Sequence, residues 1–206
     1  MQKVLVFTDL HILPDGGTII GLDPAARFEL ALDHALAHHP DAARIVIAGD
    51  LTHTGAPAEY ARLRALLSDC PLPVSLMLGN HDRRDAFNAA FPDHPRMAEG
   101  FCQQWHDLGD HRLILLDTLD EHAPDLHSGW LCPARLDWLD AALSGAAGRH
   151  VTIFTHHPPI DTGFAAMDDI GLRNRDALLS RLTRHGAVAQ IISGHIHRAI
   201  SGSAAG

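Results

Sequence analysis

The chain lacks the features by which several common protein classes are recognised. Its three cysteines, Cys70, Cys102 and Cys132, stand far apart and form no C-x-x-C pair. That pattern argues against a thiolate zinc site or a dithiol redox centre, and reduced thiols in a cytoplasmic protein are expected. Positive charge is scarce: 16 Lys and Arg stand against 25 Asp and Glu, for a formal net charge of -9. A nucleic-acid polymer is therefore not expected as a partner, because gripping a polyanion calls for a basic surface that displaces counterions. No apolar stretch approaches the length of a membrane-spanning helix, so no membrane partner is expected either. Met1 runs directly into Val4-Leu5-Val6-Phe7, with no basic flank and no small-residue cleavage site, so a signal peptide is not expected. There is no Pro/Gly/Ser linker, internal repeat or low-complexity tract, and the 206 residues are read as one domain. Ser201–Gly206 is expected to be a tail that packs nothing.

What the chain does contain is an alternation of short apolar runs and helical patterns. Val4–Phe7, Arg44–Ala48, Val74–Leu78, Leu113–Leu116, Val151–Phe154 and Ala189–Ile192 read as buried strands. Asp23-Pro24 is a helix-start signal, and Phe28, Ala31, Leu32, Ala35 and Leu36 then recur at helical spacing to about His38. Further helices are expected over Pro57–Ser68, over about Pro133–Leu143, and through Leu178, Leu179 and Leu182 to a stop at Gly186. Residues 92–112 are poorly periodic and 120–130 loop-like. The pattern predicts an α/β domain with helices packed outside the sheet.

Histidine is plentiful, at 17 residues, so each is read as surface or core filler unless its position promotes it. Position does promote several. Val4–Phe7 runs into Thr8-Asp9-Leu10-His11, and in extended backbone a two-residue spacing points both side chains the same way. Arg44–Ala48 ends in Gly49-Asp50, Val74–Leu78 in Gly79-Asn80-His81-Asp82, Val151–Phe154 in Thr155-His156-His157-Pro158-Pro159, and Ala189–Ile192 in Ser193-Gly194-His195-Ile196-His197. Open α/β sheets gather ligands beyond the carboxyl ends of their strands, so five such ends converge. Oxygen and imidazole donors without thiolate suit a hydrolytic transition-metal site better than a structural zinc. A carboxylate such as Asp50 can bridge two cations.

These five blocks resemble the calcineurin-like metallophosphoesterase superfamily, whose D-x-H, G-D, G-N-H-D/E, H and G-H-x-H pattern is met here in order from Asp9 to His197. Gly55-Ala-Pro-Ala-Glu-Tyr60 and His127-Ser-Gly-Trp-Leu131 are similar to the branch containing class III cyclic-nucleotide phosphodiesterases and glycerophosphodiester phosphodiesterases. The resemblance implies a four-layer αββα sandwich, with its second sheet incomplete at the carboxyl end because the chain stops soon after His197. A homo-oligomer is one way such a sheet would be completed. It implies two divalent or trivalent metal ions, drawn from Mn, Fe, Zn and Co. One would be held by Asp9, His11, Asp50 and His197, the other by Asp50, Asn80, His156 and His195, with His157 the rival of His156 because only one of two successive side chains is expected to point inward.

The implied activity is hydrolysis of a small phosphodiester, of cyclic-nucleotide or glycerophosphodiester type, by attack of a metal-bound hydroxide. Asp50 and His81 would be catalytic, and Asn80, His81 and Arg83 would meet the substrate. Phosphoryl transfer needs positioning and charge neutralisation, so no Ser or Cys nucleophile is required. Alternatives are a phosphomonoesterase, nucleotidase or nuclease on the same scaffold, or a non-catalytic interaction scaffold. Arg83 and Arg84 could serve a monoester, though such a pair is ordinarily solvated. His53 is read as an ordinary loop residue, Asp82 as a turn cap and Asp117 as backbone support, while His94, His127 and the remaining histidines keep the surface reading.

Overall fold

The computed structural model describes residues 2–146, 148–186 and 188–203; Ala204–Gly206, the end of the expected tail, lie outside them. The chain divides into two compact units, Met1–His94 and Pro95–Gly206.

The first unit is built on a parallel sheet in the order β1 (Val4–Phe7), β2 (Arg44–Ala48), β3 (Val74–Met77). Val4 pairs with Arg44 and Ile45 with Val74, so all three strands point their carboxyl ends the same way. The central strand is the most apolar because both its faces are covered: Ile45, Val46, Ile47 and Ala48 are fully buried. Parallel neighbours require crossovers, supplied by α1 (Pro24–His38) and α2 (Pro57–Leu67). The α1 start is the one the sequence announces: the Asp23 carboxylate accepts the Ala25 N–H at 3.0 Å, and Pro24 occupies the first turn. Phe28 and Leu32 of α1 and Tyr60 and Leu63 of α2 are buried. A third helix, α3 (Arg84–Ala90), escapes the sequence reading; at seven residues with Phe87 as its buried anchor, it is too short to show a period.

The second unit has a mixed sheet in the order β4 (Gln104–Leu108), β5 (His111–Leu115), β6 (His150–Thr155), β7 (Val188–Ser193). β4 and β5 form an antiparallel hairpin around Gly109, whose φ of 63° is left-handed, and β5, β6 and β7 run parallel. Leu136, Leu139 and Leu143 of α4 (Pro133–Ser144) and Leu178 and Leu182 of α6 (Arg175–His185) pack with Ile114, Val151 and Ile153 in one cluster. Gly186 ends α6 with φ 63°, as a C′ glycine does. A four-residue turn of helix, α5 (Ala165–Asp168), lies between β6 and α6. β4 falls inside the stretch that reads as aperiodic: it is an edge strand, Gln-Trp-His-Asp-Leu, with little apolar content to betray it. Two sheets with flanking helices bear out the α/β class. Among the described residues, no helix is long and apolar enough to cross a membrane.

Candidate metal centre

In the first unit the chain leaving β1 runs beside the chain leaving β2. Asp9 N–H donates to the Gly49 carbonyl at 3.1 Å, His11 N–H to Asp50 at 2.9 Å and Ile12 N–H to Leu51 at 3.1 Å. This ladder outlasts the strands and brings the D-x-H and G-D blocks together. Asp9, His11 and Asp50 each present a ligand atom within 4.8 Å of the others. Asp50 is 1% exposed and His11 8%. His11 Nε2 lies 3.6 Å from one Asp50 oxygen, while the other accepts the His81 N–H at 2.9 Å. A buried carboxylate with one edge held by backbone and the other turned toward an imidazole is arranged for a cation.

The same-side placement of Asp9 and His11 does not come from extended backbone as the spacing suggests. Asp9 has φ 55° and His11 φ 47°, and Asp50 has φ 47° after Gly49 at 96°. Left-handed conformations are costly for residues with a Cβ. Seven non-glycine residues show positive φ among those described, and five are Asp9, His11, Asp50, His195 and His197; the other two, Ile20 and Leu126, are 93% and 74% exposed. Backbone strain concentrated on buried or clustered polar residues marks a functional site.

The G-N-H-D block is anchored from below by Asp82. Its carboxylate accepts the N–H groups of Gly79 (2.9 Å), Leu51 (3.0 Å) and Thr52 (3.2 Å) and the hydroxyls of Thr52 (2.9 Å) and Tyr60 (3.0 Å). It is more than a turn cap, because it ties the loops after β2 and β3 to α2. Burial pushes its pKa up, to about 6, and the Asp50 carboxylate adds to the rise while the N–H of Gly79 opposes it. A cation on Asp50 would remove that second contribution. Asn80, half-buried, sits in the turn after β3. Arg83 is exposed and its stem crosses Gly55, where a Cβ would meet Arg83 Cγ at 2.4 Å.

His53 overturns the ordinary-loop reading: its ring centroid lies 5.5 Å from that of His11 and 5.4 Å from that of His81. The signal available in the sequence was its place three residues after Asp50; the structure adds that its loop pairs with the D-x-H block through Ile12 and Thr52. His94 also departs from the surface reading: half-buried against Phe87, it bonds the Leu76 carbonyl through Nε2 at 3.0 Å.

In the second unit, His156, His157 and His195 are buried, and each offers a ring nitrogen within 4.8 Å of the others. Gly194 N–H donates to the His156 carbonyl at 3.1 Å, continuing the β6–β7 pairing into the two ligand loops. Both rings of the histidine pair face His195, at centroid distances of 5.2 and 4.8 Å, so the expectation that only one would point inward fails. The pair lies beyond the end of β6, where side chains no longer alternate. The two differ in their partners. His157 Nε2 bonds the His127 carbonyl at 2.9 Å and its Nδ1 the Thr118 hydroxyl at 2.7 Å. A carbonyl can only accept, so the neutral ring carries its proton on Nε2 and Thr118 donates to Nδ1. His197, two residues past His195, is exposed, with φ 53°. Asp117 supports backbone as expected, accepting the N–H groups of Cys102 (2.9 Å) and Leu119 (3.1 Å).

Residues 2–199 match the family model described as calcineurin-like phosphoesterase. Among curated relatives, a probable cyclic nucleotide phosphodiesterase of Rhodopseudomonas palustris is 43% identical over 98% of this chain and 73% of its own length. A glycerophosphodiester phosphodiesterase of Enterobacter lignolyticus is 33% identical over 80% of this chain and 58% of its own length. Of solved structures, a dimetal phosphatase from Danio rerio shares the fold with a TM-score of 0.75 at 17% identity, covering 95% of this chain and 82% of that one.

Proposed function

We propose, from the premise that this chain belongs to the calcineurin-like phosphoesterase family, that it is a binuclear-metal phosphodiesterase acting on small diesters of cyclic-nucleotide or glycerophosphodiester type. Support for the diester comes from the relatives, which carry those two activities in their names. The observation that carries the metal chemistry is the strained set Asp9, His11 and Asp50, the last two buried, with ligand atoms within 4.8 Å. Its oxygen and imidazole donors fit Mn, Fe, Zn or Co.

The proposed ligand sets are Asp9, His11, Asp50 and His197 for one ion and Asp50, Asn80, His156 and His195 for the other, Asp50 bridging, with both units serving one domain. The two protein partners of His157 favour His156 as the ligand. Bound there, the ions would supply Lewis acidity, charge neutralisation and the activation of water for in-line attack. The chain's own groups do the rest. Asp50 is held against rotation by the His81 N–H. His81 donates Nδ1–H to the His53 carbonyl at 2.7 Å, which fixes the orientation of its ring; in the imidazolium form its Nε2–H would donate to a phosphoryl oxygen. Asn80 would orient the same phosphate and Arg83 would reach it from the rim. A cytoplasmic setting accords with Cys70, Cys102 and Cys132 as free thiols.

The test is turnover by metal-reconstituted protein of bis(p-nitrophenyl) phosphate against p-nitrophenyl phosphate. The diester should be preferred, and a monoester preference would transfer the assignment to a phosphomonoesterase. His81→Ala should lower kcat by about 10²–10³-fold, the loss usual on removing one preorganised donor, with an unchanged circular dichroism spectrum.

A further inference from the structure

Three imidazoles of the first unit converge in a set distinct from either proposed ligand set. His11, His53 and His81 each offer a ring nitrogen within 4.8 Å of the others, and the set contains no carboxylate. Centroids lie 4.6 Å apart for His11 and His81, and the His53 and His81 rings are stacked with 23° between their planes.

Backbone geometry builds the set. His53 N–H donates to the Ile12 carbonyl at 3.1 Å, seating the loop after β2 beside the loop after β1. Its carbonyl then accepts from His81 Nδ1, so a cation would meet the Nε2 side of that ring. His53 Nδ1 is buried and makes no hydrogen bond among the described residues. A buried polar atom without a partner is costly, and coordination would remove the cost.

We propose that His11, His53 and His81 form an inhibitory cation site, selective for borderline ions such as zinc, that overlaps the catalytic centre. Three neutral imidazoles with an open fourth position are an ordinary zinc ligand set, whereas hard cations such as manganese favour the carboxylates of Asp9 and Asp50. Occupancy would engage His81, which the diester needs, and would compete for His11. Zinc in excess therefore blocks an enzyme that manganese in excess leaves running. The functional consequence rests on the phosphodiesterase assignment, while the binding itself does not.

Metal-free protein reloaded with two equivalents of manganese is titrated with zinc, following bound zinc by equilibrium dialysis and hydrolysis of bis(p-nitrophenyl) phosphate. The wild type should take up a third ion as its rate collapses. His53→Phe keeps a ring with no nitrogen, and His53→Gln keeps polarity; each should raise the zinc needed for half-inhibition, and for third-ion uptake, by about tenfold or more. Melting curves identify which of the two variants folds like the wild type and is scored. Inhibition of such a variant at the wild-type zinc concentration, or zinc exchanging for manganese with no third ion bound, overturns the proposal. Should the manganese-loaded protein hydrolyse no diester, the phosphodiesterase assignment falls, and dialysis still decides the site.

Discussion

Gly129 and His157 show how closely single residues are fitted around the candidate centre. A Cβ on Gly129 would meet His157 Nδ1 at 2.5 Å, Cγ at 2.6 Å and the Thr118 carbonyl at 3.0 Å. The ring cannot retreat without breaking its bonds to Thr118 and His127, and it packs on both His156 and His195. Gly129→Ala should therefore destabilise the protein by about 1–3 kcal/mol, the usual penalty of overpacking. It should also weaken metal retention, read by urea denaturation and by metal analysis after dialysis. Wild-type values for both would mean that the ring is free to shift. The His-Ser-Gly-Trp-Leu segment was visible in the sequence as a family resemblance; that its glycine, Gly129, clears room for the imidazole of His157 was not.

Elements carry the site by where they stop. β1, β2 and β3 end together because parallel pairing aligns their carboxyl termini, and the chain beyond them keeps pairing as it turns. α2 holds the outer side of that arrangement through Glu59, 1% exposed, whose carboxylate accepts the N–H groups of Thr54 (2.9 Å) and Ala56 (3.0 Å) and the Thr54 hydroxyl (3.0 Å). Ala56 has no side-chain acceptor, so Glu59 is the polar cap of this helix. Glu59→Ala should cost about 2–3 kcal/mol by leaving buried donors unpaired, measured as a lower urea midpoint; a loss under about 0.5 kcal/mol would show water replacing the carboxylate. Helices α1, α2, α4 and α6 and six of the strands were legible because each has a recurring apolar stripe or a short β-rich apolar run, although β1 departs from the buried reading, being only half-buried with Val6 exposed. α3 and β4 were not, one being too short for a period and the other polar on an edge.

Across the whole molecule, acidic residues outnumber basic ones and the paired ones set the response to pH. Asp107 grips Arg112 at 2.7 and 2.8 Å, and that guanidinium, 5% exposed, also reaches the Ala142 carbonyl. The hydrogen bond from Arg112 holds the Asp107 pKa below its ordinary 3.8. A carboxyl depressed in the folded state adds stability above its unfolded value and loses it as pH falls through the folded one. Asp107→Asn should thus be less stable than wild type by about 0.5–1 kcal/mol near pH 7, a modest figure because the carboxylate is partly solvated. The gap should narrow as pH falls below 3.8 and through the depressed folded-state value; a gap that does not change with pH would assign the effect to packing. The sequence by itself determined the family, the strand-end motifs and most elements, since these depend on local chemistry and on spacing along the chain. The tertiary structure alone decided the left-handed backbone at Asp9, His11, Asp50, His195 and His197, the partners of His157 and the approach of His53 to His11 and His81. Each of those depends on contacts between segments distant in sequence, and no local period encodes them.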